Sequence, residues 1–290
     1  MSSTNIKDTV KLLRIPFSIL LMPIFILVLS QSPFLNIEKS LMSFLIIHLL
    51  VYPASNGYNS YEDKDTTSIG GLENPPLPTK RLFYLTAVMD LLAVGLSILF
   101  INNLFAICIT IYIIASRAYS NRTIRLKKYP LIGFLTVVFF QGAFTYYMCF
   151  AGITNDAILF NKDNILIMIA CSLQIAGIYP LTQIYQHKED LADGVTTLSY
   201  KLGYKGTFVF TASMFAIATL LYFLYFSGIH RINEFYVLQI FMLPVIIFFI
   251  YWFIKVVRNK KEASFRNTML MNVIAAGSLN VCYIILSLLK

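Results

Sequence analysis

Charged residues are scarce in this 290-residue chain: Asp, Glu, Lys and Arg make up 13% of it, about half of the roughly 25% usual in soluble proteins. A water-soluble globule of this size has no core large enough to hide the remaining apolar surface. The shortage therefore excludes a soluble enzyme, and with it a disordered tail or a fibrous repeat. Glycine (13) and proline (10) are unremarkable, and no low-complexity tract or short-period repeat occurs. The four cysteines, Cys108, Cys149, Cys171 and Cys282, show neither CxxC nor histidine-paired spacing. They read as small buried hydrophobes rather than metal ligands. No small-residue cleavage site follows the first apolar run, so that run reads as a retained helix and not a signal peptide.

What the chain has in quantity is hydrocarbon. Apolar types reach 58% and the mean hydropathy is +0.71, the composition of a polytopic membrane protein. A net charge of +9 would suit nucleic acid, but the cations sit in short loops between apolar runs, so no nucleic-acid partner is expected. A helix rises about 1.5 Å per residue, and about 20 apolar residues cross a bilayer. Runs of that order lie at 15–31, 39–56, 82–101, 103–119, 130–151, 164–185, 207–228, 235–257 and 267–289, the third and fourth split only by Asn102-Asn103. With the N-terminus inside, 19 of the 23 Lys and Arg residues fall on the cytoplasmic side. Lys39, Lys162, Arg231 and Lys290 make up the other 4. That asymmetry satisfies the positive-inside rule. The expectation is an all-α membrane protein forming one polytopic domain over 1–290. It would be a nine-helix bundle with a cytoplasmic N-terminus and a cavity opening at the cytoplasmic side.

Polar chemistry gathers in three loops on that side. The first, residues 56–81, reads NGYNSYEDKDTTSIGGLENPPLPTKR. It begins as a continuation of its helix, with Asn59 and Asp63 four apart on one face, Asn56 one turn earlier, and Glu62 and Asp65 beside them. The third, residues 185–206, carries Gln186 and Asp190 four apart, flanked by Glu189 and Asp193, with Gly194 and Thr197 continuing the rhythm. Two acid clusters at the ends of spans two and six hint at a duplicated four-helix unit. Carboxylates beside amides suit Mg²⁺, a hard cation that takes oxygen ligands, keeps waters and shares its shell with phosphates. The second loop, residues 117–130, supplies Arg117, Arg125, Lys127 and Lys128 for phosphate oxygens, and Arg14 lies at the lip of span one.

These residues resemble the UbiA superfamily of intramembrane prenyltransferases over essentially the whole chain. The family's first motif, N-D-x-x-D-x-x-x-D, sets Asn59 on its Asn and Asp63 on its first Asp when Leu77-Pro78 is aligned with the following L-P. Ser60 then holds the second position and Thr67 the last Asp position; another register starts at Asn56. The second motif, D-x-x-x-D-x-x-x-G-x-x-T-L, matches at Asp190, Gly194, Thr197 and Leu198, with Gln186 in place of its first Asp. Tyr119, Ser120, Arg125, Leu126 and Lys127 resemble the family's Y-S-x-P-P-x-R-L-K stretch.

The resemblance implies transfer of an isoprenyl group from an allylic diphosphate to a lipophilic acceptor in the bilayer, aromatic or a quinone precursor, with Mg²⁺ as cofactor. It implies catalytic roles for Asp63, Asp190 and Asn59. The metal ligands would be Asp63 and Asp190 with Asp65, Glu189 or Asp193, since one Asp is missing from each motif. Arg14, Asn56, Tyr119, Arg125, Lys127, Tyr185, Gln186 and Lys188 are the candidate substrate contacts. Tyr119 and Tyr185 would face the allylic cation with their rings or serve as interfacial anchors. Asp90, mid-span, reads as a cavity residue or one half of a helix–helix hydrogen bond, and Pro180 as a kink. A transporter with a paired acidic cation site and a non-catalytic prenyl-lipid binder are the competing readings.

Overall fold

The computed structural model describes residues 3–289, with side chains from residue 6. Among the described residues, nine helical stretches are long and apolar enough to cross a membrane. They are α1 (Ile6–Gln31), α2 (Ile37–Asp63), α3 (Lys80–Phe100), α4 (Asn103–Ser120), α5 (Pro130–Thr154), α6 (Lys162–Thr182), α7 (Leu198–Gly228), α8 (Ile232–Arg258) and α9 (Phe265–Leu288). The described residues contain no strand beyond an isolated bridge between Ile69 and Leu72. The surface identifies the solvent. Leu91 and Leu99 on α3 are 74% and 75% exposed, and Ile240 and Ile247 on α8 62% and 67%. Acyl chains accommodate such a surface and water does not.

The chain divides into two compact units. The first holds the chain up to Met22, Ser32–Leu126 and Met148–Ala157; the second holds Pro23–Gln31, Lys127–Tyr147 and the chain from Ile158 onward. In the first unit α1 is interrupted where Arg14 adopts a left-handed backbone (φ 51°), and a 3-10 segment follows over Ile15–Leu21. α2 widens into a π-turn over Ile46–Val51 just before Pro53. Proline has no N–H to donate and its ring crowds the carbonyl four residues back, so the loosened turn relieves both. Beyond it the helix Tyr52–Asp63 runs on until Lys64, whose left-handed φ of 55° ends it.

Helices in lipid associate by close packing rather than by escape from water, so small residues mark their contacts. At Gly57 a Cβ would stand 2.8 Å from the Thr86 methyl and 2.9 Å from Leu13. Glycine there lets α2 approach α3 and the start of the chain, around a core of Leu12, Leu13, Ala54, Leu82 and Met89. At the other end of this unit, Lys39 and Asn102 both donate to Asn155 Oδ1, at 2.6 and 2.9 Å.

In the second unit α6 and α7 meet at Gly177, where Thr211 Oγ1 donates to the Gly177 carbonyl at 2.8 Å and the Phe215 ring fills the missing Cβ space. Leu181, Ile184, Phe208, Val245, Trp252, Val256, Met271 and Ala275 form the core. Trp252 Nε1 donates to the Glu262 carbonyl at 2.8 Å and ties off the turn between α8 and α9. Gly142 lies inside a π-turn over Phe140–Phe144, seated against the Ser172 backbone.

The bilayer-crossing stretches match the apolar runs to within a few residues at most ends. α1 reaches further toward the N-terminus and α2 extends seven residues beyond 56, as the continued helix predicts. α7 also starts early, at Leu198 rather than 207. Thr197 caps that start by accepting from Tyr200 N, and the backbone breaks at Gly203 (φ 67°) before the apolar portion proceeds. α6 ends at Thr182, two residues past Pro180, so the second acidic motif does not ride on the end of span six.

Candidate functional site

The first acidic motif occupies the last turns of α2. Asn59 Nδ2 donates to Asp63 Oδ2 at 2.8 Å and to Ser120 Oγ at 3.2 Å. A carboxylate only accepts, so the amide nitrogen and not its oxygen must face Asp63. The Asn59 carbonyl oxygen stays outside this network. One turn apart on the same helix, Asn56 Nδ2 and Ser60 Oγ are buried and meet no partner among the described residues. Two orphaned polar groups beside an acid mark a place where a ligand or water belongs.

The end of α4 is stitched to the motif along its length. The Ser55 and Ser116 hydroxyls pair, Asn121 Nδ2 donates to Tyr58 OH at 3.0 Å, and Ser120 takes the Asn59 bond. Arg122 closes the row: Nε donates to the Glu62 carbonyl at 2.7 Å and Nη2 to the Asp63 carbonyl at 3.1 Å. A guanidinium there satisfies carbonyls that a helix end leaves without partners, and complements the negative end of the dipole. Asn121 Oδ1 accepts from Thr123 N and Ile124 N and turns the chain immediately after.

Asp90 is half of a helix–helix ion pair, engaged by both Nε and Nη2 of Arg117. The same guanidinium lies 3.9 Å from the Tyr58 ring centroid. Arg117, read in the sequence among the phosphate-binding cations, is therefore held by Asp90 and Tyr58. An acid at that depth is tolerable because its counter-ion comes from the adjacent helix.

Arg14 is 8% exposed. Its Nη2 donates to the Asn56 carbonyl at 2.9 Å and its Nη1 to the Gly70 carbonyl at 3.1 Å, tying the loop after α2 back to α1. Gly71 (φ 87°) makes the tight turn there, and the Phe17 ring fills the space beside both glycines. Asp65 lies just past the helix end and is half-buried. Tyr119 is half-buried in the last turn of α4, and Arg125 is half-buried with a left-handed φ of 49°.

In the second unit the other motif stands on a separate helix, His187–Ala192, which Gln186 opens. The Asp190 amide donates to the Gln186 carbonyl at 2.9 Å, so the pair four apart still shares one turn. The expected rhythm then fails: Gly194 turns left-handed (φ 70°), and Thr197 starts a new helix instead of continuing the old one. His187 anchors the segment. Its Nε2 hydrogen-bonds Ser199 Oγ at 2.9 Å, its ring stacks on Tyr204 and meets Tyr200 edge-on, and burial holds its pKa below the usual imidazole value. Glu189 and Lys188 are exposed, Asp190 and Asp193 half-buried. The Tyr185 ring packs against Phe265, with centroids 5.5 Å apart, and Lys127 lies in the short 3-10 turn before α5.

Among the described residues no group of three or more His, Cys, Asp or Glu side chains is placed to hold a metal ion. The residues missed in the sequence are Tyr58, Asn121 and Arg122, together with Ser120 as a partner of Asn59. The only signal for Tyr58 was its place beside Asn59, and for Ser120, Asn121 and Arg122 their place between Tyr119 and Arg125 in the basic loop.

Comparison with known proteins supplies the remaining fact. The UbiA prenyltransferase family matches residues 19–274. Among solved structures, a UbiA homologue from Archaeoglobus fulgidus bound to DMAPP and Mg²⁺ aligns with a TM-score of 0.71 at 14% identity, covering 98% of this chain and 100% of the other. A UbiA homologue from Aeropyrum pernix K1 in its apo form aligns at 0.65 and 17%, covering 92% and 98%. A structure of digeranylgeranylglyceryl phosphate synthase aligns at 0.63 and 20%, covering 99% and 100%. No curated protein matches by sequence. These structures share the fold, and the family match spans most of the chain. The chain belongs to the UbiA prenyltransferase family and is a multi-pass membrane prenyltransferase.

Proposed function

We propose that the protein transfers an isoprenyl group from an allylic diphosphate to a lipophilic acceptor, an aromatic or quinone-precursor ring, in a Mg²⁺-dependent reaction at the cytoplasmic face. The observation that carries this reading is the Asn59–Asp63 pair, an amide and a carboxylate locked together beside two orphaned buried polar groups. The Archaeoglobus relative binds DMAPP with Mg²⁺. Every donor available here is a hard oxygen, which fits the same ion. Mg²⁺ needs no all-protein cage, because it completes its shell with water and substrate phosphate.

In this reading Asp63 and Asn59 Oδ1 serve the metal in the first motif, and Asp190 with Glu189 or Asp193 serves it in the second; Asp65 stands by the first. Bound Mg²⁺ would offset charge on the departing diphosphate. Asn56 Nδ2 and Ser60 Oγ meet phosphate oxygens. Arg14 and Arg125 in the first unit, and Lys127, Lys188 and Gln186 in the second, are the cationic and amide donors assigned to the head group. The C1–O bond breaks with its electron pair going to the diphosphate. The allylic cation is then taken by an electron-rich acceptor carbon, which forms the new C–C bond and releases a proton. The π faces of Tyr119 and Tyr185 steady the cation, and hydrocarbon walls keep water from it.

The test is turnover in membranes given Mg²⁺ and an allylic diphosphate, read as released diphosphate and prenylated lipid. Asp63→Ala and Asp190→Ala should each lower it by about 100-fold or more, the scale of a lost group that stabilises transition-state charge. Unchanged turnover in both variants would refute the reading.

A further inference from the structure

We propose that Ser120 and Arg122 are positioning residues for the first acidic motif, fixing Asn59 and Asp63 from the end of α4; the idea rests on the metal-binding reading above. Asn59 has two amide hydrogens, and two acceptors take them, Asp63 Oδ2 and Ser120 Oγ. Ser120 is 2% exposed, so a water does not easily replace its hydroxyl. With both hydrogens engaged, the amide cannot rotate without losing one of these part-buried bonds, and its carbonyl oxygen is kept in one orientation as a hard ligand. Without the Ser120 acceptor the amide retains one bond and gains a second orientation.

Arg122 acts on the other half of the pair. Its fork grips the Glu62 and Asp63 carbonyls at 2.7 and 3.1 Å, and its own backbone N–H donates to Glu62 Oε2 at 3.3 Å. The motif therefore ends its helix against a fixed guanidinium instead of fraying into the loop at Lys64. Ser120 and Arg122 are two residues apart, so one short stretch of backbone sets the orientation of Asn59 and the height of Asp63 together.

Substitution of a partner that orients a metal ligand typically costs about 10–100-fold in metal affinity or activity. The experiment uses the full chain in detergent, with Mn²⁺ binding followed by loss of the free-ion EPR signal. Turnover and the melting temperature are measured alongside. Ser120→Ala and Arg122→Ala should each weaken Mn²⁺ binding about tenfold. Ser120→Thr, which restores a hydroxyl, should recover it, and Arg122→Lys, which returns one donor instead of a fork, should recover part of it. A structural role alone would lower the melting temperature and leave Mn²⁺ affinity of the folded protein unmoved, and that result overturns the proposal. If Ser120→Ala does not fold, wild-type affinity in Arg122→Ala with no recovery trend between Lys and Ala overturns it equally. Absence of Mn²⁺ binding in the wild-type chain would sink the metal reading itself, and the positioning role with it.

Discussion

The two acidic motifs solve one placement problem by different means. The first rides on a continuous helix whose last turns are fastened side by side to the end of α4. Four contacts run along that seam, through Ser55, Tyr58, Asn59 and the Glu62–Asp63 carbonyls. The second stands on a six-residue helix cut loose from α6 and held by its own flanks, with His187 on Ser199 and a glycine turn before the Thr197 cap. A helix of six residues is too short to persist alone, so its carboxylates are ordered by the loop around them. The first motif borrows rigidity from a neighbouring span, whereas the second depends on turn chemistry within about a dozen residues.

The largest expected effect would break the comparison by treating the motifs alike: Asp63→Ala and Asp190→Ala should lose similar, roughly 100-fold or greater, turnover. A variant with nearly full activity at one motif only would show that the other does the binding alone. Next in size is Asp90→Ala, which strands the Arg117 charge between helices. Breaking a fully buried pair by removing one partner costs about 3 kcal/mol or more; this pair is part-buried, so the cost is smaller, and the melting temperature of the purified protein should still fall. Proteolysis should open the first loop more than the third.

Gly57→Ala places a methyl 2.8 Å from Thr86, and overpacking of that kind costs about 1–3 kcal/mol. Hydrogen exchange should rise in the 52–63 helix and stay unchanged in 187–192. The smallest effect belongs to the second motif. Thr197→Ala removes an N-cap worth about 1 kcal/mol, and exchange should rise at the start of α7 while the Asn59 region keeps its protection. Equal responses of both motifs to either substitution would contradict their separate anchoring.

Much of the fold was legible because hydropathy is a local property. The asparagines between the third and fourth runs read as a boundary, and Asn102 does cap α4, its Oδ1 accepting from Phe105 N at 2.7 Å. The early start of α7 was not legible, because Tyr200, Lys201 and Lys205 are polar and the helix there lies before the apolar run. The break between the short helix and α7 was masked by a spacing, Gln186, Asp190, Gly194, Thr197, that imitates a continuing helix. Left-handed Gly194 and the extended Thr197 cap interrupt it. Arg117 misled for a similar reason, since its charge type suits phosphate as well as it suits Asp90, and a sequence does not state which comes closer.

The sequence by itself determined that this chain lives in a bilayer, where its helices lie, and which short polar segments carry acids and amides. Those follow from residue-by-residue transfer energies and from periodicity, which need no knowledge of neighbours. Only the tertiary structure decided which way the Asn59 amide faces, that Arg117 belongs to Asp90, and that Arg122 holds the end of α2. A hydrogen bond exists only at contact distance, and residues 27 to 61 positions apart reach it only when two helices pack.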